Sequence, residues 1–163
     1  MNIDNIEILS NDDLKKIQNK IKYLESSGIY TLINNLGYIG AYQFGVCMLK
    51  DLKYIKYSAK SNNCLLDSLN WEGKNNCYNI DDWLNNETIQ DDALIESLFL
   101  NFKYLKNKKA IKSNINCKEL AGLLIAAHLS GAGGASKLMK NIITYDSNRT
   151  SSLTYYNIGY NLF

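Results

Sequence analysis

The run Leu120-Ala121-Gly122-Leu123-Leu124-Ile125-Ala126-Ala127 limits most strongly what this chain can become. A helix that is apolar nearly all round has no face to give to water, so it belongs in the centre of a domain. Asn116 and Glu119 stand at the spacing of a capping box, in which two side chains satisfy free amides at a helix start. Ser130-Gly131-Ala132-Gly133-Gly134 reads as the end of that helix, with a last helix starting near Ala135.

Other helices surround it in the sequence. Ser10 and Asp13 repeat the capping logic, and Leu14, Ile17, Ile21 and Leu24 follow at three- and four-residue spacing. That pattern predicts an amphipathic helix of about fourteen residues, stopped near Gly28. From 29 to 45 the pattern is short and aromatic, with Asn34-Asn35, Gly37, Gly40 and Gly45 as turn signals. It predicts a tight loop or small β-hairpin leading into a helix over about 44 to 53. The stretch 58 to 80 is polar and irregular, and Trp71-Glu72-Gly73-Lys74 reads as a surface turn with one anchoring aromatic. Asp81 is placed to cap a short helix through Trp83 and Leu84. A longer helix over about 87 to 105 turns Leu94, Leu98, Phe102 and Leu105 inward. With 163 residues, no repeat and no linker, the expectation is a single domain over 1–163, mainly α with a small hairpin region.

Composition narrows the function classes. The formal charge of +2 comes from 18 basic and 16 acidic residues spread along the chain, with no basic run to suggest nucleic acid as partner. Cys47, Cys64, Cys77 and Cys117 form no CxxC pair and His128 is the sole histidine, so neither a metal site nor a cofactor is expected. Buried free thiols are the default, with disulfides open if the chain is exported. The glycines from 131 to 134 follow a helix instead of opening one, which argues against phosphate binding. No stretch approaches a membrane span. The start, MNIDNIEILSNDD, carries acids where a signal peptide needs lysine or arginine. Synthesis in the cytoplasm and non-classical delivery to the periplasm or cell wall is the reading for location.

Glu25 closes the apolar stripe of the first helix, four positions after Ile21. A carboxyl group held against apolar surface is pushed toward its protonated form, the state a sugar-cleaving general acid needs. Ile21, Leu24 and the Tyr42-Phe44 loop are the candidate wall.

Three pieces of the chain together resemble the lysozyme-like superfamily, closest to its Slt-type lytic transglycosylases and related muramidases. Glu25-Ser26 is similar to the Glu-Ser that ends that family's catalytic helix. Gly40-Ala41-Tyr42-Gln43 is similar to its Gly-Leu-Met-Gln, and Gln43 lies eighteen positions after Glu25. Ala126-Ala127-His128-Leu129-Ser130-Gly131-Ala132-Gly133 is similar to its Ala-Ala-Tyr-Asn-Ala-Gly-Pro-Gly. His128 and Leu129 depart from the Tyr and Asn of that pattern, which changes the sugar-contacting surface. The resemblance implies a lysozyme-like α+β fold with a glycan-binding cleft, and Glu25 as general acid on the β-1,4 bond between N-acetylmuramic acid and N-acetylglucosamine in peptidoglycan. Ser26, Tyr42, Gln43, Phe44, His128, Gly131 and Tyr156 would then line the substrate. Taken by itself, His128 reads as a core histidine, since it follows Leu124 by four positions.

Ordinary hydrolysis wants a second carboxylate. Asp81, Asp82, Asp91, Asp92 and Asp146 are available, none in a matched motif. In the Slt-like branch the muramic acid's own 6-hydroxyl attacks instead, and one glutamate serves as acid and then base, so both routes stay open. The alternative is a lysozyme-fold module that binds glycan or a protein partner without cleaving. A phage lysin or an effector delivered by a secretion apparatus would fit either.

Overall fold

A computed structural model describes residues 8–146 and 149–163. The described residues are mainly helical, as the periodicity predicts. Six helices occur among them: α1 (Asn11–Ser26), α2 (Val46–Asp51), α3 (Ile80–Leu84), α4 (Glu87–Asn107), α5 (Cys117–Leu138) and α6 (Ser152–Tyr160). The chain divides into two compact units. A central unit comprises Gln18–Glu96, and a terminal unit comprises the residues up to Ile17 together with Ser97–Phe163. The boundary falls inside α1 and inside α4.

In the terminal unit, α5 occupies the place its composition demands, with every residue from Leu120 to Ala127 buried. Its start is the expected capping box: the Glu119 amide donates to Asn116 Oδ1 (2.9 Å) and the Asn116 amide to Glu119 Oε2 (3.0 Å). Its expected end falls within Ser130–Gly134: Gly131 leaves helical geometry (φ 70°, ψ 156°), and a second helical segment runs on from there to Leu138, with Ala135 buried. The last helix is α6 instead, opened by Ser151 Oγ accepting from the Thr154 amide (3.0 Å). It lies so close to α5 that a Cβ on Gly159 would stand 2.6 Å from the Ala121 carbonyl oxygen.

The central unit is built around one aromatic. Trp83 is fully buried, with the rings of Tyr54 (5.1 Å), Phe44 (5.7 Å) and Trp71 (6.2 Å) about it. Trp71 is therefore core, pinned by Nε1 donating to the Leu65 carbonyl (2.9 Å) and by an antiparallel bridge to Ile55. Asn79, not Asp81, caps α3, because its side chain is the one that reaches the Asp82 amide (2.9 Å). Where a hairpin is expected, two isolated bridges occur, Ile33 to Ile39 and Ile39 to Phe44. The four cysteines are free thiols. Cys77 is buried, whereas Cys47 is exposed, contrary to the buried default. No helix among the described residues is long and apolar enough to cross a membrane.

Candidate active site

The candidate site begins where α1 stops. Ser27 (φ 54°) and Gly28 (φ 90°) turn left-handed, and the Gly28 amide reaches back to the Lys22 carbonyl (3.3 Å). Glu25 thus sits in the final turn of the helix, half-buried. The next residue, Ser26, is buried. Its hydroxyl accepts from the Ile29 amide (3.0 Å) and donates to the Ala41 carbonyl (2.8 Å).

Ala41 belongs to a closed loop. Ile39 and Phe44 exchange two backbone hydrogen bonds (3.0 and 2.9 Å), leaving Gly40-Ala41-Tyr42-Gln43 as a four-residue turn between them. Gly40 must be glycine twice over: its φ is +79°, and a Cβ there would meet Gln90 Oε1 at 2.2 Å. The Ala41 peptide is gripped from both sides. Its carbonyl is held by Ser26 of α1 and its amide donates to Gln90 Oε1 of α4 (2.7 Å). Gln90 Nε2 in turn donates to the Trp83 (2.8 Å) and Tyr30 (3.1 Å) carbonyls, so a fully buried amide ties the turn to the aromatic core.

Beside this clasp lies a phenol and carboxylate cluster. Tyr42 Oη (2.5 Å) and Tyr30 Oη (2.7 Å) both donate to Asp91 Oδ1, and Lys22 Nζ donates to Tyr30 Oη (2.7 Å). Burial, then the Asp91 carboxylate, pushes the Tyr42 phenol far above its usual range, and the same two causes raise Tyr30 against the opposing pull of Lys22. Both phenols are held neutral as donors. Burial works against the Lys22 ammonium, yet Tyr30, Asp91 and Glu87 outweigh it and raise the pKa of Lys22.

Comparison with family models, curated proteins and solved structures finds no match to this chain. Its own geometry therefore carries the functional argument.

Several residues expected against substrate are placed elsewhere. Tyr42 and Phe44 are 0% and 2% exposed, so they form the wall of the central core and have no surface to offer a polymer. Ser26 and Gln43 are buried and turn inward. Gln43, itself left-handed (φ 48°), donates through Nε2 to the Gly40 carbonyl (2.8 Å), which makes it a brace for the turn. Leu24, expected in the apolar wall, is 36% exposed, while Ile21 is buried as expected.

The remaining expected residues belong to the terminal unit. His128 is half-buried on α5, Gly131 is exposed at the kink, and the Tyr156 ring packs over Gly122 and stacks on Tyr160 (6.0 Å). Among the described residues no group of three or more His, Cys, Asp or Glu is placed to hold a metal ion. A polar recess of about 420 Å³ in the central unit, between Asn75-Asn76 and Asp81, Asp82, Asn85 and Asn86, includes two of the candidate second carboxylates and none of the residues expected against substrate.

Gln90 is the residue that sequence reasoning missed. It stands four positions before Leu94 on the buried face of α4, where a polar residue in line with apolar ones signals a partner that the sequence does not name.

Proposed function

We propose that this chain is a peptidoglycan-cleaving glycosidase of lysozyme-like fold, with Glu25 as the general acid on the bond between N-acetylmuramic acid and N-acetylglucosamine. The observation that carries the reading is the 2.8 Å clasp from Ser26 to Ala41. It ties the end of the acid-bearing helix to the Gly-Ala-Tyr-Gln turn, so two pieces eighteen positions apart in sequence, similar to one family's catalytic elements, meet in space. A general acid needs a fixed position relative to the leaving oxygen before its pKa matters. The twice-held Ala41 peptide provides a rigid reference for Glu25.

In this mechanism Glu25 gives its proton to the glycosidic oxygen as positive charge develops at the anomeric carbon. The carboxylate left behind takes a proton either from the muramic acid 6-hydroxyl, closing a 1,6-anhydro ring, or from water. Glycan strands are the partner. The key test is Glu25→Gln, which keeps shape and removes the proton. Release of muropeptides from purified sacculi should fall at least a hundredfold with the fold unchanged by circular dichroism, in keeping with general-acid contributions of about 10² to 10⁴. Equal release by both proteins rejects the proposal. Mass analysis of the released ends then selects the route, since anhydro ends mean transglycosylation and reducing ends hydrolysis.

A second reading is a non-catalytic glycan- or protein-binding module. It is favoured by the inward engagement of Ser26 and Gln43 and the burial of Tyr42 and Phe44, which leave fewer groups for sugar contact. Retention on sacculi without any solubilised product would select it.

A further inference from the structure

We infer that the segment leaving α5, with Ile142, Ile143 and Tyr145 at its crest and basic side chains around it, is a docking surface for an anionic membrane leaflet.

The inference uses neither Glu25 nor the Gly-Ala-Tyr-Gln turn, and it lies wholly within the terminal unit. Charge is unevenly placed along the chain. Residues 97–163 set nine basic residues against two acidic ones, a formal +7, whereas the rest of the chain sets nine against fourteen, a formal −5. The ion pairs among the described residues use Lys16, Lys22 and Lys74, so none of them neutralises any of those nine.

Apolar side chains stand among these charges. α5 ends in a left-handed turn at Asn141 (φ 59°), where the Ile142 amide reaches back to the Lys137 carbonyl (3.0 Å). The backbone is fastened again at Thr144, whose carbonyl accepts from the Ser152 amide (2.8 Å) and whose amide donates to Ser152 Oγ (3.1 Å), and Tyr145 bridges Ser151. Between these two fixed points Ile142 and Ile143 are 52% and 42% exposed, and Tyr145 is 66% exposed. Met139 before them and Leu153 after Ser152 are exposed as well. Apolar side chains scattered singly over a surface need no explanation, but a gathered patch rimmed by polar groups marks an interaction site. Lys137, Lys140 and Arg149 supply the rim. A Cβ on Gly134 would stand 3.1 Å from Thr144 Oγ1 and one on Gly133 3.6 Å from Tyr104 Oη, so the half-exposed Tyr104 of α4 continues the surface, with Lys108 Nζ 5.5 Å from its ring.

The pairing of crest and rim selects the occupant. Interfacial binding draws on apolar side chains entering the acyl boundary and on basic ones meeting anionic headgroups, and tyrosine suits the level between them. A nucleic acid would engage the lysines through its phosphates and leave the two isoleucines in water. A second copy docked face to face would bring Lys137, Lys140 and Arg149 against their own like charges. An anionic leaflet satisfies both halves of the surface.

Flotation of the full chain with phospholipid vesicles tests this. Vesicles of phosphatidylcholine and phosphatidylglycerol in equal parts should carry the chain into the lipid fraction, and phosphatidylcholine alone should not. Each basic residue near such a leaflet contributes about fivefold in partitioning, so Lys137→Gln with Lys140→Gln should weaken binding about twentyfold. Ile142→Ser with Ile143→Ser should weaken it at least about tenfold, with circular dichroism unchanged because both side chains already face water. Should that double variant not fold, Tyr145→Ser at its more exposed position is the second apolar variant and should also weaken binding. No binding to either vesicle, equal binding to both, or anionic binding that the isoleucine and tyrosine variants leave intact overturns the inference. Intact anionic binding joined by equal binding to a duplex oligonucleotide selects a soluble polyanion instead, and a dimer in sedimentation that the isoleucine variant abolishes, without vesicle binding, selects a second copy. Muropeptide release plays no part in the readout, so the outcome is separate from that of Glu25→Gln.

Discussion

The Gly-Ala-Tyr-Gln turn of the central unit and the α5 and α6 pair of the terminal unit are both tightly held, by opposite means. The turn has little regular structure of its own, and its order comes from polar side chains reaching a buried peptide: Ser26 and Gln90 on Ala41, and Gln43 across to Gly40. The helix pair is joined at its closest point by the lack of side chains, with Gly122 and Gly159 letting backbone meet backbone. A helix satisfies its own amides and can be packed by small residues alone, whereas an irregular turn must borrow hydrogen bonds from its neighbours. The region proposed for chemistry is the borrowed kind.

The sharpest way to break that contrast, after Glu25→Gln itself, is Gln90→Leu. The shape changes little, but the Ala41 amide and the Tyr30 carbonyl lose the Gln90 side chain as partner, and the Trp83 carbonyl keeps only backbone amides, at a residue with no solvent exposure. A buried group left unpaired costs about 1 to 3 kcal/mol, far more than the net gain from an ordinary hydrogen bond. A loss of about 3 kcal/mol is expected by urea unfolding, with hydrogen exchange at Ala41 accelerated. Unchanged stability would mean that the turn holds itself.

That dependence also explains what could be foreseen. Capping boxes at Ser10 and Asn116 and the buried Leu120–Ala127 run were legible because each rests on neighbours within a turn or two of one helix. Gln90 and Ser26 act on a peptide 49 and 15 positions away, and no local pattern encodes such a reach. The break at Gly131 was legible too, since a glycine cluster permits left-handed backbone locally; α6, a later helix than the one read from Ala135, was not. Glu25 and Gly40-Ala41-Tyr42-Gln43 are legible in the sequence as two pieces of one pattern. Their meeting through Ser26, and the burial of Tyr42 and Phe44, belong to tertiary packing.

The helix pair should respond to size instead of polarity. In Gly159→Ala the new methyl would stand 2.6 Å from the Ala121 oxygen and 2.7 Å from Gly122 Cα, both backbone atoms that cannot rotate aside. Alanine favours a helix over glycine by about 1 kcal/mol. Overpacking costs typically 1 to 3 kcal/mol and should win here, since the whole of α6 must shift. A net loss of about 1 to 2 kcal/mol in thermal or urea unfolding is expected. A stabilised variant would show that the two helices yield easily, and the contrast with the turn would weaken.

The smallest effect is expected at the start of α1, where the device is polar but local and solvent-facing. Ser10 Oγ accepts from the Asp13 amide (3.1 Å) and Asp13 Oδ2 accepts from the Ser10 amide (3.0 Å). Ser10→Ala should cost about 1 kcal/mol, typical of a lost helix cap. The effect carries a pH signature. The Ser10 hydroxyl and amide, with lesser help from Lys16, hold the Asp13 carboxyl below its ordinary value of 3.8. A carboxyl depressed on folding contributes stability that is complete above that ordinary value and is lost as pH falls through its lower folded value. The difference between Ser10→Ala and the parent chain should therefore be constant from neutral pH down to about pH 5 and narrow only below about pH 4. Water competes for both groups at this exposed cap and is excluded from Ala41, so polar contacts at the two places should differ in worth by about threefold. Equal losses in Ser10→Ala and Gln90→Leu would show that burial adds nothing to the worth of these contacts.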